Sequence, residues 1–249
     1  MTKGSQTTTH TAPAMATHAA APVKRQIVSF RFFRIDPAWR RLPAEQRRKH
    51  AAEFEAVVNR HRRHLMINTY SLIGMKADVD FLIWRVGPDL ESVQGLSTDA
   101  AGSSLGGWFS TPYSFLSMTK RSTYVDKFDP THQDRRLFIT PAQSKYLFVY
   151  PFVKTRQWYL LPMAERQRMM DEHIRIGMKY PSVRLHTTYS FGLDDQEFIV
   201  AFETDRAEDF LDLVQELRES EGSVYTLRDT PIFTCVLKPL GQLLRELGG

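Results

Sequence analysis

Thr187-Thr188-Tyr189-Ser190-Phe191-Gly192, leading through Asp194-Asp195 into Glu197-Phe198-Ile199-Val200-Ala201-Phe202, restates a stretch that the chain has already used once. The earlier version is Asn68-Thr69-Tyr70-Ser71-Leu72, then Gly74, then Asp80-Phe81-Leu82-Ile83-Trp84. Each reads as two runs of β-branched and aromatic residues joined around a Gly/Asp turn, the signature of a β-hairpin. The likeness extends outward at a spacing of about 119 residues. Upstream, Leu42-Pro43 and Leu161-Pro162 each open a charged helical run, with the Pro near the first turn, where a missing N–H costs nothing. Downstream, Thr111-Pro112 precedes Tyr113 to Met118, and Thr230-Pro231 precedes Ile232 to Leu237.

Each copy therefore reads strand, helix, hairpin, helix, strand. That is the βαββαβ order of a ferredoxin-like unit, whose antiparallel sheet carries both helices on one face. A single copy would leave its other sheet face wet, so the expected architecture is α+β: two ferredoxin-like repeats packed as a dimeric α+β barrel. The expected organisation is a disordered tail at 1–25, an N-terminal repeat at 26–119, a linking loop at 120–145 and a C-terminal repeat at 146–249. The tail is Thr, Ala, His and Pro with almost no large apolar residue, too little to offset the entropy of ordering. The loop is rich in Lys, Arg, Asp and His and has no counterpart in either copy, which marks it as functional.

Composition narrows the function less. The 249 residues are 42% hydrophobic and 24% charged, ordinary globular values. No apolar run approaches a membrane span and the first residues hold no hydrophobic leader core, so the expected location is the cytoplasm. The single cysteine, Cys235, excludes an internal disulfide framework and a cysteine-rich metal site. A net charge of +5 suits nucleic acid, an anionic surface or an anionic small ligand. Basic residues are dispersed along helices rather than interleaved with exposed aromatics, which argues against a nucleic-acid partner.

The duplication supplies an internal control: a core position should be apolar in both copies, and a functional residue should break the match. His173 breaks it, standing where the first copy has Phe54 and sharing a helical face with Met169, Ile176 and Gly177. It is either a satisfied core histidine or a ligand. No second His, Cys or carboxylate accompanies it at a zinc-like spacing on that face, and a single protein ligand is the pattern for haem iron, where the porphyrin supplies the other donors. Tyr150 is the second break, aligned with Arg31 and facing the same way as Phe148 and Phe152. Lys154 follows near the strand's end, then Trp158 and Tyr159, an apolar surface on which a flat macrocycle could lie.

With Tyr150-Pro151-Phe152-Val153-Lys154, Trp158-Tyr159-Leu160-Leu161, Met170-Asp171-Glu172-His173 and Gly192-Leu193-Asp194-Asp195 in this order, residues 27 to 245 resemble the chlorite dismutase-like superfamily, most closely its coproheme decarboxylase branch. The resemblance implies His173 as the axial ligand of haem iron, with Glu221 as the acid that orients its imidazole. It implies Tyr150 as the redox-active residue and Lys154 beside the propionates, with Trp158 in the pocket wall. Ser223 and Arg135 or Arg136 match further propionate contacts. Leu185 aligns with the distal arginine of chlorite-splitting members, and His132 lies near the position of a distal base. The implied substrate and cofactor is iron-coproporphyrin III, with hydrogen peroxide as oxidant and haem b as product, in a homopentamer. A chlorite dismutase and a non-catalytic haem-binding protein are the alternatives.

Overall fold

The computed structural model describes residues 24–124, 126–128 and 137–249. The Thr/Ala-rich tail, apart from its last residues, lies outside them. In the N-terminal copy, β1 (Ile27–Ile35) leads into helix α1 (Ala44–His61), the hairpin β2 (Met66–Ser71) and β3 (Phe81–Gly87), helix α2 (Leu90–Gly102) and β4 (Phe109–Met118). The C-terminal copy runs β5 (Tyr146–Lys154), a short α3 (Arg156–Leu160), α4 (Met163–Gly177), β6 (Arg184–Tyr189), β7 (Phe198–Thr204), α5 (Ala207–Glu219), β8 (Thr226–Arg228) and β9 (Phe233–Leu237). Helix α6 (Leu240–Leu247) ends the chain.

All pairings are antiparallel, in the order β7-β6-β4-β1-β3-β2-β9-β5, and β5 pairs back onto β7, so the sheet closes into a barrel. β8 extends the edge of β5 beyond β9. Two short seams join the copies: Met118 opposite Tyr189 on one side, Tyr70 opposite Leu237 and Ser71 opposite Val236 on the other. Side chains reinforce them, with Thr188 Oγ1 donating to Ser117 Oγ at 2.8 Å and Thr69 Oγ1 donating to the Lys238 carbonyl at 2.6 Å. Gly74 and Gly192 sit at φ +76° and +71° in the two hairpin turns, a region that costs a side chain about 1 kcal/mol or more.

Period-two alternation sorts the strand residues. Val28, Phe30 and Phe32 of β1 point into the barrel with Leu82, Trp84, Leu147, Val149, Ile199 and Ala201. The copies interlock there: Phe32 stacks on Phe233 with ring centroids 4.0 Å apart. Near one barrel end the fully buried Glu203 meets His186 Nε2 at 2.7 Å and accepts the backbone N–H groups of Ala142 and Gln143 at 2.7 and 3.0 Å. A carboxylate removed from water needs such donors, and here they tie the end of the linking segment to the barrel. The alternate strand residues face outward, where helices cover them in two separate layers.

Candidate functional site

The two outer layers are built unequally. Over the N-terminal copy, α1 buries His50, Ala51, Phe54, Val57 and Val58. Phe54 sits edge-on to Phe81 and Phe109, and α6 adds Leu240, Leu243, Leu244 and Leu247. Over the C-terminal copy, Met169 is the one buried residue of α4 among the described residues. The fully buried set of this layer is Phe148, Tyr150 and Phe202 of the sheet with Phe210 and Leu213 of α5, and partly buried apolar residues such as Phe152, Ile176 and Leu185 pack on it. The helix over this thinner layer carries His173. It lies four residues after buried Met169 and three before Ile176, which packs on this layer, so helical geometry turns it to the same side.

Tyr150 lies in the middle of β5, opposite Val200 of β7, and its ring stacks on Phe202 at 6.0 Å. Its hydroxyl bonds to no side chain among the described residues. Burial, with a smaller push from the Asp229 carboxylate, raises its pKa well above the usual phenol value, so the phenol stays protonated at any physiological pH.

Lys154 closes the same strand. Its Nζ donates to the Gly222 carbonyl at 3.0 Å and rests 4.3 Å from the centroid of the buried Trp158 ring. No carboxylate lies within salt-bridge distance among the described residues, and burial lowers its pKa to about 8 even though Glu197 pulls the other way. Glu197 accepts the Lys154 backbone N–H at 2.8 Å and the Tyr159 hydroxyl at 2.5 Å through one oxygen, fixing the turn from β5 into α3. An ammonium set on an aromatic wall and lacking a counter-charge suits an anionic ligand edge.

Ser223 and Glu221 both sit in the 3-10 turn Glu221–Tyr225 that follows α5, not within the helix itself. Ser223 donates to the Arg218 carbonyl at 2.8 Å and is the next residue after the Lys154 acceptor Gly222. Both carboxylate oxygens of Glu221 take bonds from Arg168 of α4, at 2.6 and 2.8 Å, and its backbone N–H donates to Glu172 beside His173. The turn is thereby fastened to the histidine-bearing helix. The start of the linking segment docks on the same elements: Tyr124 lies edge-on to Trp158 at 6.1 Å, Lys127 pairs with Asp171 at 2.8 Å, and Phe128 lies under Arg175. His132, Arg135 and Arg136 lie outside the described residues.

Leu185 faces the layer of Tyr150 and Phe202, opposite Phe202 in the strand register. Its neighbours turn away: His186 points inward to Glu203, and Arg184 is exposed. Sequence reasoning missed Glu197 and Gly222, since neither a carboxylate before a strand nor a backbone carbonyl leaves a pattern. It also missed that Trp158 is the counterpart of Trp39, a match that the 119-residue spacing does contain. Trp39 is buried and bonds His50 Nδ1 at 3.3 Å.

Comparison with known proteins bears on the family and the fold. A profile of the chlorite dismutase family matches residues 16–238. The coproheme decarboxylase of Mycolicibacterium smegmatis is 33% identical over 167 residues, 66% of this chain and 70% of that protein. A chlorite dismutase from Candidatus Nitrospira defluvii, solved in complex with imidazole, superposes with a TM-score of 0.82 at 26% identity over 90% of this chain and 95% of its own. A haem-binding protein from Thermus thermophilus gives 0.80 at 25% identity over 94% and 100%. The doubled ferredoxin-like barrel, its one thin outer layer and these likenesses together make the chain a member of the chlorite dismutase family.

Proposed function

We propose that this protein is a coproheme decarboxylase, which converts two propionates of iron-coproporphyrin III to vinyl groups with hydrogen peroxide and yields haem b. The observation that supports the reading is the inequality of the outer layers: where one copy has the buried Phe54 and the half-buried Arg31, the other has His173 and Tyr150 in a layer with fewer fully buried side chains. The donor set fits an iron porphyrin, with one imidazole for the metal, a flat apolar lining and an uncompensated ammonium for the acidic rim. When bound, the iron supplies the oxidising equivalents drawn from peroxide.

The residues have distinct tasks. His173 ligates the iron, and Glu221, held by Arg168, steadies the turn against its helix and orients the imidazole. Lys154, Ser223 and Arg135 or Arg136 seat the propionates, Trp158 and Leu185 wall the pocket, and His132 serves as base toward peroxide. Tyr150 keeps its proton until it gives up proton and electron together, and then takes a hydrogen atom from the β-carbon of a propionate. Each propionate, with one peroxide and one proton, leaves as a vinyl group, one carbon dioxide and two waters, which balances atoms and charge. No helix among the described residues is long and apolar enough to cross a membrane. The reading places the enzyme in the cytoplasm as a homopentamer.

The test loads purified protein with iron-coproporphyrin III, titrates peroxide and follows the porphyrin by mass spectrometry. Two successive losses, each of carbon dioxide plus two hydrogens, are expected, and Tyr150→Phe should stop them. Bleaching without those losses overturns the reading. Chlorite dismutation, the second reading, draws on the solved structural relatives. It needs a cation over the iron, whereas Leu185 faces the layer and Arg184 does not. Oxygen release on adding chlorite would favour it.

A further inference from the structure

The N-terminal copy buries positive charge that no acid among the described residues neutralises. Strands β1 and β5 correspond residue for residue, so Arg31 occupies the place of Tyr150; their cross-strand partners are Ile83 and Val200, so Arg85 occupies the place of Phe202. Arg85 is only 3% exposed. Its Nη1 donates to the Val93 carbonyl at 3.2 Å and to Ser97 Oγ at 2.6 Å, and its Nη2 donates to Ser29 Oγ at 2.6 Å. Every partner is neutral. Of the five N–H groups on a guanidinium, Nε–H is buried with no acceptor and one on Nη2 is left over. Arg31, half-buried, has Thr111 Oγ1 at 3.3 Å and the Phe33 ring at 5.5 Å, again without a carboxylate partner among the described residues.

Both arginines line one cavity of about 20 Å³ beneath α2, walled also by Phe33, Leu96, Ser97 and Phe109. Burial and the neighbouring Arg31 charge draw the Arg85 pKa down to about 9, so it is still a cation at neutral pH. Dehydrating such an ion beside a second one is costly unless a negative charge joins them. The volume admits about one particle of water size. A water molecule would fill the space but bring no charge, and a phosphate or a metabolite carboxylate would not fit.

We propose that this cavity is a site for a monatomic anion of chloride size, held by Arg85 Nε–H and the Arg31 guanidinium as the internal counter-ion of the N-terminal copy. The two copies would then use corresponding positions for different anions: one for a macrocycle with an acidic rim, the other for a single ion. The test uses the full chain and sodium bromide, replacing sodium gluconate at constant ionic strength so that the cation and total charge stay fixed while an anion too large for the cavity gives way to a monatomic one; the variants control for general salt effects. A rise in Tm that grows with the logarithm of bromide concentration above Kd, reaching about 5 °C at one hundred times Kd, is expected, and it should vanish in Arg31→Gln and in Arg85→Met. Because Arg31 is partly exposed, its variant serves if Arg85→Met does not fold. Bromide in crystals should give an anomalous peak beside Arg85 Nε. No halide-specific rise, an equal rise in the variants, or a peak with no response in solution, meaning binding at crystal concentration only, each overturns the proposal.

Discussion

Lys154 is the side chain whose surroundings speak most directly about a ligand. With its pKa near 8, the folded protein has shed a proton between about pH 8 and 10.5 that the unfolded chain retains, so the ligand-free protein gains stability as pH rises through that window. Below it the buried ammonium weighs steadily against folding. Lys154→Met should therefore stabilise the ligand-free protein at pH 7 by about 1 kcal/mol in urea titrations, yet weaken iron-coproporphyrin binding roughly tenfold as a charge-assisted bond is lost. At this scale the sequence was informative where the duplication breaks. His173 and Tyr150 stand out because their counterparts are Phe54 and Arg31. Arg85 does not stand out, because an arginine in a strand reads as solvent-facing until α2 is seen to cover it.

Helices α1 and α4 descend from one pattern and do different work. Phe54→Ala, removing a fully buried ring, should cost about 3–5 kcal/mol in thermal or urea unfolding. His173→Phe places the first copy's residue on this helix and removes the imidazole, so it should abolish the iron–imidazole absorption band of the loaded protein while the ligand-free protein still unfolds in a single cooperative urea transition. Both hairpins were legible because their glycine turns repeat at Gly74 and Gly192, and Gly192→Ala should cost about 1 kcal/mol. Helix α6 and strand β8 were not legible, since neither has a partner in the other copy and both are short. Yet α6 fills the outer layer that needs no ligand, with Leu240, Leu243, Leu244 and Leu247.

For the molecule as a whole, the doubled ferredoxin-like barrel followed from the repeat, but the seams did not: three residue pairs at two joints are too few to leave a pattern. The buried Glu203 holds the linking segment to that barrel. Glu203→Gln keeps the shape and removes the charge that two backbone N–H groups and His186 share. It should lower stability by about 3 kcal/mol and speed proteolytic cutting between residues 120 and 145 relative to cutting elsewhere. Equal cutting rates in variant and parent would refute the anchoring role.

Closure of the sheet has one more result. Among the described residues every long strand has a neighbour on both sides, but at the seams the pairing is short, one residue pair between β4 and β6 and two between β2 and β9, so most of those facing edges carry no ladder. Opening either seam would lengthen the bare backbone edges of β2 and β9, or of β4 and β6, and favour sheet-to-sheet aggregation.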